Sequence, residues 1–153
     1  MARFVYRMQA VLNIKEKTEG QVKMEFASAQ AELNRQLDIL DEYIKRKENY
    51  LAEAEELRKA DRLQMLDILD NQYATAQMDV MINAQVKVVE KQEEIVERAR
   101  IKLTKAIQER KMQETLRDRA YAEYLEEEKQ EEFKETDQRT SFTYTQRQRE
   151  TNK

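Results

Sequence analysis

From Val5 to Leu57 the chain carries an unbroken three-four repeat: Val5, Met8, Leu12, Lys15, Glu19, Val22, Phe26, Ala29, Leu33, Gln36, Leu40, Tyr43, Lys47, Tyr50, Ala54 and Leu57. Twelve of these sixteen positions are apolar or aromatic. A straight α-helix drifts against that spacing, so the stripe stays on one face only if the helix winds around another. The pattern predicts a coiled-coil helix over about residues 2–59. Gly20 follows Glu19 in the repeat and so falls just off the seam, facing water, as a tolerated defect.

A second helical stripe follows: Leu66, Leu69, Tyr73, Val80, Ala84, Val88, Ile95, Ala99, Leu103, Ile107, Leu116, Ala120 and Tyr124. Steps of four outnumber steps of three between Val80 and Leu103, which predicts looser supercoiling. The break between the helices falls best at about 60–61. There Asp61, followed three residues later by Gln64, has the spacing of a capping box. Asp70-Asn71 is the competing site, and a chain with no turn would have to pair with a second copy. The fold class expected is all-α: a long antiparallel two-helix coiled-coil hairpin with a single-helix C-terminal overhang. It occupies 1–138, with helix two over about 62–138, and a frayed or disordered tail fills 139–153. The Thr-rich tail has no apolar periodicity. A monomeric hairpin is expected in preference to a homodimer.

With a turn near 61, facing residues have numbers that sum to about 122, so Val5 lies near Leu116 and Tyr50 near Tyr73. Helix one then runs out opposite residue 120, and everything from Tyr121 overhangs. To Gln138 that overhang measures about 25 Å at 1.5 Å per residue.

Composition narrows the chemistry. Of 153 residues, 39% are charged, one is Gly, and Pro, Cys and His are absent. Disulfides, thiolate chemistry, His-based acid–base catalysis and the usual zinc sites are excluded. One Gly cannot build a phosphate-cradling loop. Adjacent acids such as Glu126 and Glu127 point about 100° apart on a helix, with nothing to exclude water around them. The sequence therefore describes a non-enzyme without cofactor or metal. No apolar run approaches a membrane span, and no signal peptide is visible.

Charge is segregated. Eight basic residues (Arg98, Arg100, Lys102, Lys105, Arg110, Lys111, Arg117, Arg119) stand against four acids between Glu97 and Arg119. Met1 to Lys17 is also mainly basic. Seven acids follow between Glu126 and Asp137, against Lys129 and Lys134. A basic collar with an acidic extension suits electrostatic steering into a charged partner. The acidic extension and the lack of any recognition motif argue against nucleic acid. Tyr43 and Tyr50 lie on the stripe, whereas Tyr6, Tyr121 and Tyr144 lie off it and are exposed contact candidates.

The opening Phe4-Val5-Tyr6-Arg7-Met8-Gln9-Ala10-Val11-Leu12, followed by Lys15 and Glu19, resembles the start of the flagellar export protein FliJ family. So do Tyr73 through Gln85, Glu109-Arg110-Lys111 followed by Leu116, and the Glu-rich run to Asp137. Gln77, where the family tends to be apolar, and the Thr-rich tail depart from the pattern. The resemblance implies a cytoplasmic hairpin, peripheral at the cytoplasmic face of the cell membrane and not inserted in it. Such a protein binds the flagellar export ATPase hexamer and promotes its assembly and activity. It links the hexamer to the cytoplasmic domain of the export gate and escorts export chaperones. The resemblance assigns Phe4, Tyr6, Arg7, Met8, Arg110, Lys111, Arg117, Tyr121 and Tyr124 to the ATPase end. It assigns Gln36, Leu40, Tyr43, Tyr73, Gln77, Val80 and Ala84 to the gate, although periodicity puts Gln36, Leu40 and Tyr43 on the seam. The alternative reading is a generic coiled-coil spacer or holdase-type chaperone. A rotary-ATPase stalk subunit is disfavoured by the missing strand-rich domain.

Overall fold

In the computed structural model, which describes residues 3–152, the chain is an all-α helical hairpin. Helix α1 spans Gln9–Lys59 and α2 spans Met65–Thr151. Ala2, where helix one was expected to begin, and Lys153, the end of the expected tail, lie outside the described residues. The contacts divide the chain into two units, Glu19–Ala106 and Met1–Thr18 with Ile107–Lys153.

In the first unit the α1 stripe is the seam. Every repeat position from Glu19 to Leu57 is buried or half-buried, with Val22 and Leu33 innermost. The α2 seam differs from the expected stripe. It runs Ile68, Asn71, Thr75, Met78, Ile82, Gln85, Val89, Gln92, Val96, Ala99, Leu103 and Ala106, a strict alternation of three and four. Leu66, Leu69, Tyr73, Val80, Ala84, Val88 and Ile95 instead face solvent.

Polar residues hold the seam because each finds an acceptor across it. Asn71 Nδ2 donates to the Tyr50 carbonyl at 2.8 Å, Gln85 Nε2 to the Gln36 carbonyl at 2.9 Å, and Gln92 Nε2 to the Ala29 carbonyl at 3.0 Å. Gln85 Nε2 also meets Gln36 Oε1 at 2.7 Å. A buried amide left without a partner would cost several times what a satisfied one contributes. These three pairs each sum to 121 in residue number, so the register is antiparallel. Ion pairs Lys47–Asp79 and Glu25–Lys102 flank the seam.

Five residues separate the helices, Ala60 to Gln64, with neither Gly nor Pro among them. The expected capping box is not made. Gln64, not Asp61, precedes the first turn, and its carbonyl accepts from the Ile68 amide at 3.2 Å.

In the second unit Leu12 is fully buried, at 0% exposure, and Lys15 pairs with Glu109. The stripe's first two positions do not join the seam, since Val5 is 78% and Met8 44% exposed. The helix begins only at Gln9, whose amide donates to the Tyr6 carbonyl at 3.1 Å. Ahead of it the chain is not helical, so the 3.6-residue phase that put Val5 and Met8 inward is lost. Phe4 and Tyr6 turn inward instead.

Helix α2 continues through the segment expected to fray, to Thr151. Thr136, Thr140, Thr143, Thr145 and Thr151 each donate their hydroxyl to the carbonyl four residues back. A helix can satisfy its own backbone without a partner, and no Pro or Gly interrupts this one. From Lys129 to Asn152 every described residue is exposed.

Gly20 is exposed within α1, and a Cβ built there meets nothing within 4 Å. Gly20→Ala is therefore expected to stabilise the protein by about 0.8–1 kcal/mol, read as a raised denaturant midpoint with unchanged slope. A lower midpoint would mean that this position serves something other than a regular helix.

Candidate functional site

Two surfaces collect the side chains singled out from sequence. In the unit containing both chain ends, Phe4 packs edge-on against Tyr121 at 5.1 Å between ring centroids and tilted against Tyr124 at 5.3 Å. Tyr121 and Tyr124 stack one turn apart at 6.4 Å. Tyr6, expected to be exposed, is half-buried and donates its hydroxyl to Gln113 Oε1 at 3.2 Å. A non-helical strand advances about 3.3 Å per residue against 1.5 Å in a helix. The chain ahead of Gln9 thus reaches further along α2 than a helical start would. Phe4 packs on both Tyr121, which stays 47% exposed, and Tyr124, which is half-buried, and the wholly exposed helix begins after Glu128 rather than at Tyr121.

Burial, followed by the nearby Glu128 carboxylate, pushes the Tyr124 phenol above its ordinary pKa. Arg110 is half-buried and paired with Glu114 at 2.8 Å. Arg7, Lys111 and Arg117 are exposed, as is Met8. Among the described residues, Arg3, Arg7, Lys111, Arg117 and Arg119 take part in no ion pair. Arg3, Phe4, Tyr6, Gln9 and Arg117 line one shallow groove. This surface joins aromatic rings to free guanidinium groups, a combination suited to a protein interface. Of the residues expected at the ATPase end, Phe4, Tyr121 and Tyr124 meet in the aromatic cluster and Phe4, Tyr6 and Arg117 in the groove, whereas Arg7, Met8 and Lys111 are exposed elsewhere in the same unit and Arg110 is held by Glu114.

The second surface lies along α2 in the other unit. Tyr73 is 69% and Val80 63% exposed. Gln77, Ala84, Val88 and Ile95 are exposed on the same helix. Val80, Asn83, Ala84, Lys87, Val88 and Lys91 line an open groove. The track continues onto α1, where Met24 and Ala31 share a second groove with Ile95. From Tyr73 to Ile95 it covers about 33 Å. The residues assigned to the gate by resemblance thus divide. Tyr73, Gln77, Val80 and Ala84 share this outer track, whereas Gln36, Leu40 and Tyr43 sit in the seam. Gln36 is committed there to Gln85.

Val88, Ile95, Met24, Lys87 and Lys91 belong to the track but were not singled out as contacts. The signal for them was spacing: Tyr73, Ala84 and Ile95 recur every eleven residues, a period that cannot share a seam with a heptad.

Glu32, on α1 beside this track, accepts from Arg35 Nη2 at 2.6 Å and from Gln36 Nε2 at 2.8 Å. These bonds, Arg35 first, lower its pKa to about 2 from the ordinary 4.5. A depressed carboxyl contributes stability above its unfolded pKa and loses it as pH falls through the folded value. Glu32→Gln is therefore expected to flatten the acid limb of stability between pH 4.5 and 2. A chemical-shift titration of Glu32 with an ordinary midpoint would contradict this.

Among the described residues, no helix is long and apolar enough to cross a membrane, and no cluster of acidic side chains could hold a metal ion. A sequence model of the family described as flagellar FliJ protein matches residues 4–149. No curated protein and no solved structure matches the chain.

Proposed function

Because the chain belongs to the flagellar FliJ protein family, we propose that it acts in flagellar protein export as a non-enzymatic coupling protein, bound at one surface to the export ATPase and at another to the export gate. Family membership supports the export role. The observation that carries the finer reading is the exposed apolar track Tyr73–Val80–Ala84–Val88, which a free-standing hairpin has no reason to keep on its outer face.

The ATPase hexamer engages the end carrying Phe4, Tyr6, Arg7, Met8, Arg110, Lys111, Arg117, Tyr121 and Tyr124. The free cations there steer encounter, and the aromatic cluster supplies apolar contact. The export gate's cytoplasmic domain engages Tyr73, Gln77, Val80 and Ala84. Export chaperones use the same apolar surface in turn. The protein works as a single-chain hairpin at the cytoplasmic face of the membrane. A ligand that binds the assembled ring better than free subunits shifts the assembly equilibrium, and hydrolysis rises with it.

The test adds the purified chain to its cognate export ATPase and follows both hexamer formation by light scattering and ATP hydrolysis. Both are expected to rise. If neither changes while the chain remains helical, the reading fails. Suppression of the aggregation of an unrelated unfolded protein, with no effect on the ATPase, would favour a holdase.

A further inference from the structure

We propose that the helices of Glu19–Ala106 have two registers, the observed one and a second displaced by one heptad, so that each α1 residue faces the α2 residue seven positions later.

Three features of the seam point there. The first is the amide ladder. Asn71, Gln85 and Gln92 occupy the same heptad position and donate to the carbonyls of Tyr50, Gln36 and Ala29, which also differ by sevens. A helix presents an equivalent carbonyl every seven residues. After the shift Asn71 reaches the Leu57 carbonyl, Gln85 that of Tyr43, and Gln92 that of Gln36. The amides forbid slips that are not whole heptads but do not choose among heptads.

The second feature is the apolar layers. In the observed register Phe26, Leu33 and Leu40 lie opposite Val96, Val89 and Ile82, with Leu33 and Val89 buried and the others half-buried. One heptad on, they lie opposite Leu103, Val96 and Val89. Volume and shape are nearly conserved, which packed cores tolerate well. The shift is opposed by contacts further along the same two helices, where Lys15 would leave Glu109, Tyr6 would leave Gln113 and Phe4 would leave Tyr121 and Tyr124, which keeps the second register a minor state. Within Glu19–Ala106 the flanking ion pairs also discriminate: Lys47 would leave Asp79 and Glu25 would leave Lys102. Exposed pairs of this kind are weak.

The third feature is the connection. The shift lengthens α1 by about one turn and shortens α2 by as much. Ala60-Asp61-Arg62-Leu63-Gln64 contains no Gly or Pro to keep it out of a helix, and its residues are exposed. At present Gln64, a poor cap, precedes α2. A start one turn later is preceded by Asp67, a good one.

The displacement is about 10 Å. It carries Ile95 away from Met24 and remakes the groove they share. A partner touching both helices there selects a register, and the selection alters the other groove walls between the same two helices.

The chain has no Cys, so paired cysteines report register without background. Three double variants of the full chain are oxidised under native conditions. Leu33→Cys with Val89→Cys reads the observed register, Leu33→Cys with Val96→Cys the shifted one, and Leu33→Cys with Glu93→Cys, off the seam, is the control. The first should cross-link fully and quickly. The second should cross-link slowly, as expected for a minor state populated at about 0.1–10%, yet clearly above the control. Adding Leu63→Pro, which bars α1 from lengthening, should abolish the second cross-link and spare the first. A second pair no faster than the control overturns the proposal. So does a second cross-link that survives Leu63→Pro unchanged.

Discussion

Leu12→Ala will open the pairing of the first turns of α1 with α2 while leaving most of the helix content in place. Among the described residues, Leu12 is the one large side chain with no exposed surface at all. Its unit buries little else: among the unit's described residues no other side chain is buried, and Lys15, Arg110 and Gln113 are only half-buried. Leu→Ala at such a site removes the transfer free energy of three methyl or methylene groups and leaves a cavity, about 2–5 kcal/mol in all. A thin two-helix seam has no second layer to collapse into the gap. The loss should appear as local opening rather than global unfolding. Amide exchange in α1 up to Thr18, and in α2 from Ile107 to Gln113, should accelerate by roughly a hundredfold at about 3 kcal/mol. Ile14→Ala is the control: Ile14 lies two residues away but is 61% exposed, and an exposed truncation changes little. Equal exchange in the two variants would mean that Leu12 does not anchor the end.

The same residue shows what sequence could and could not disclose. On α1 the stripe from Leu12 to Leu57 is the seam, because ten apolar or aromatic side chains among fourteen positions at three-four spacing leave a helix no other face to bury. It fails at Val5 and Met8 because periodicity presumes a helix, and the helix starts at Gln9. On α2 the failure is more instructive. Apolar residues occupy two faces, and periodicity cannot tell which one is covered. The covered face carries Asn71, Thr75, Gln85 and Gln92, which read as surface until their acceptors on α1 are known. A trace was nonetheless present. Ile68, Thr75, Ile82, Val89, Val96 and Leu103 fall every seventh residue and are nearly all β-branched, as one seam position of a two-stranded coil favours. The outer track keeps an eleven-residue period instead. Composition gave no hint that the Thr-rich end would be helical, since Thr is a poor helix former; within the helix its hydroxyls find acceptors in the carbonyls four residues back.

If the outer track is the gate surface proposed above, Val80→Asp with Val88→Asp will abolish binding to the export gate and leave the hairpin intact. Both valines are exposed, at 63% and 42%, and neither lies on the seam. In the free protein the new carboxylates sit in water beside Lys87 and Lys91, so melting should move little. In a complex the same carboxylates would be taken out of water against an apolar surface. Loss of a central apolar anchor alone costs roughly 2–4 kcal/mol, about 30- to 1000-fold in affinity, and the desolvated charges add to it. The comparison variant is Tyr43→Ala. Tyr43 is half-buried in the seam, so its removal should lower stability and affect gate affinity only through that loss. Calorimetric titration of the gate's cytoplasmic domain with each variant separates the two cases. If Val80→Asp with Val88→Asp binds as the unsubstituted chain does, the outer track is not the gate surface. If Tyr43→Ala loses affinity while keeping its melting point, the seam opens to admit the partner, and the surface has to be redrawn across both helices.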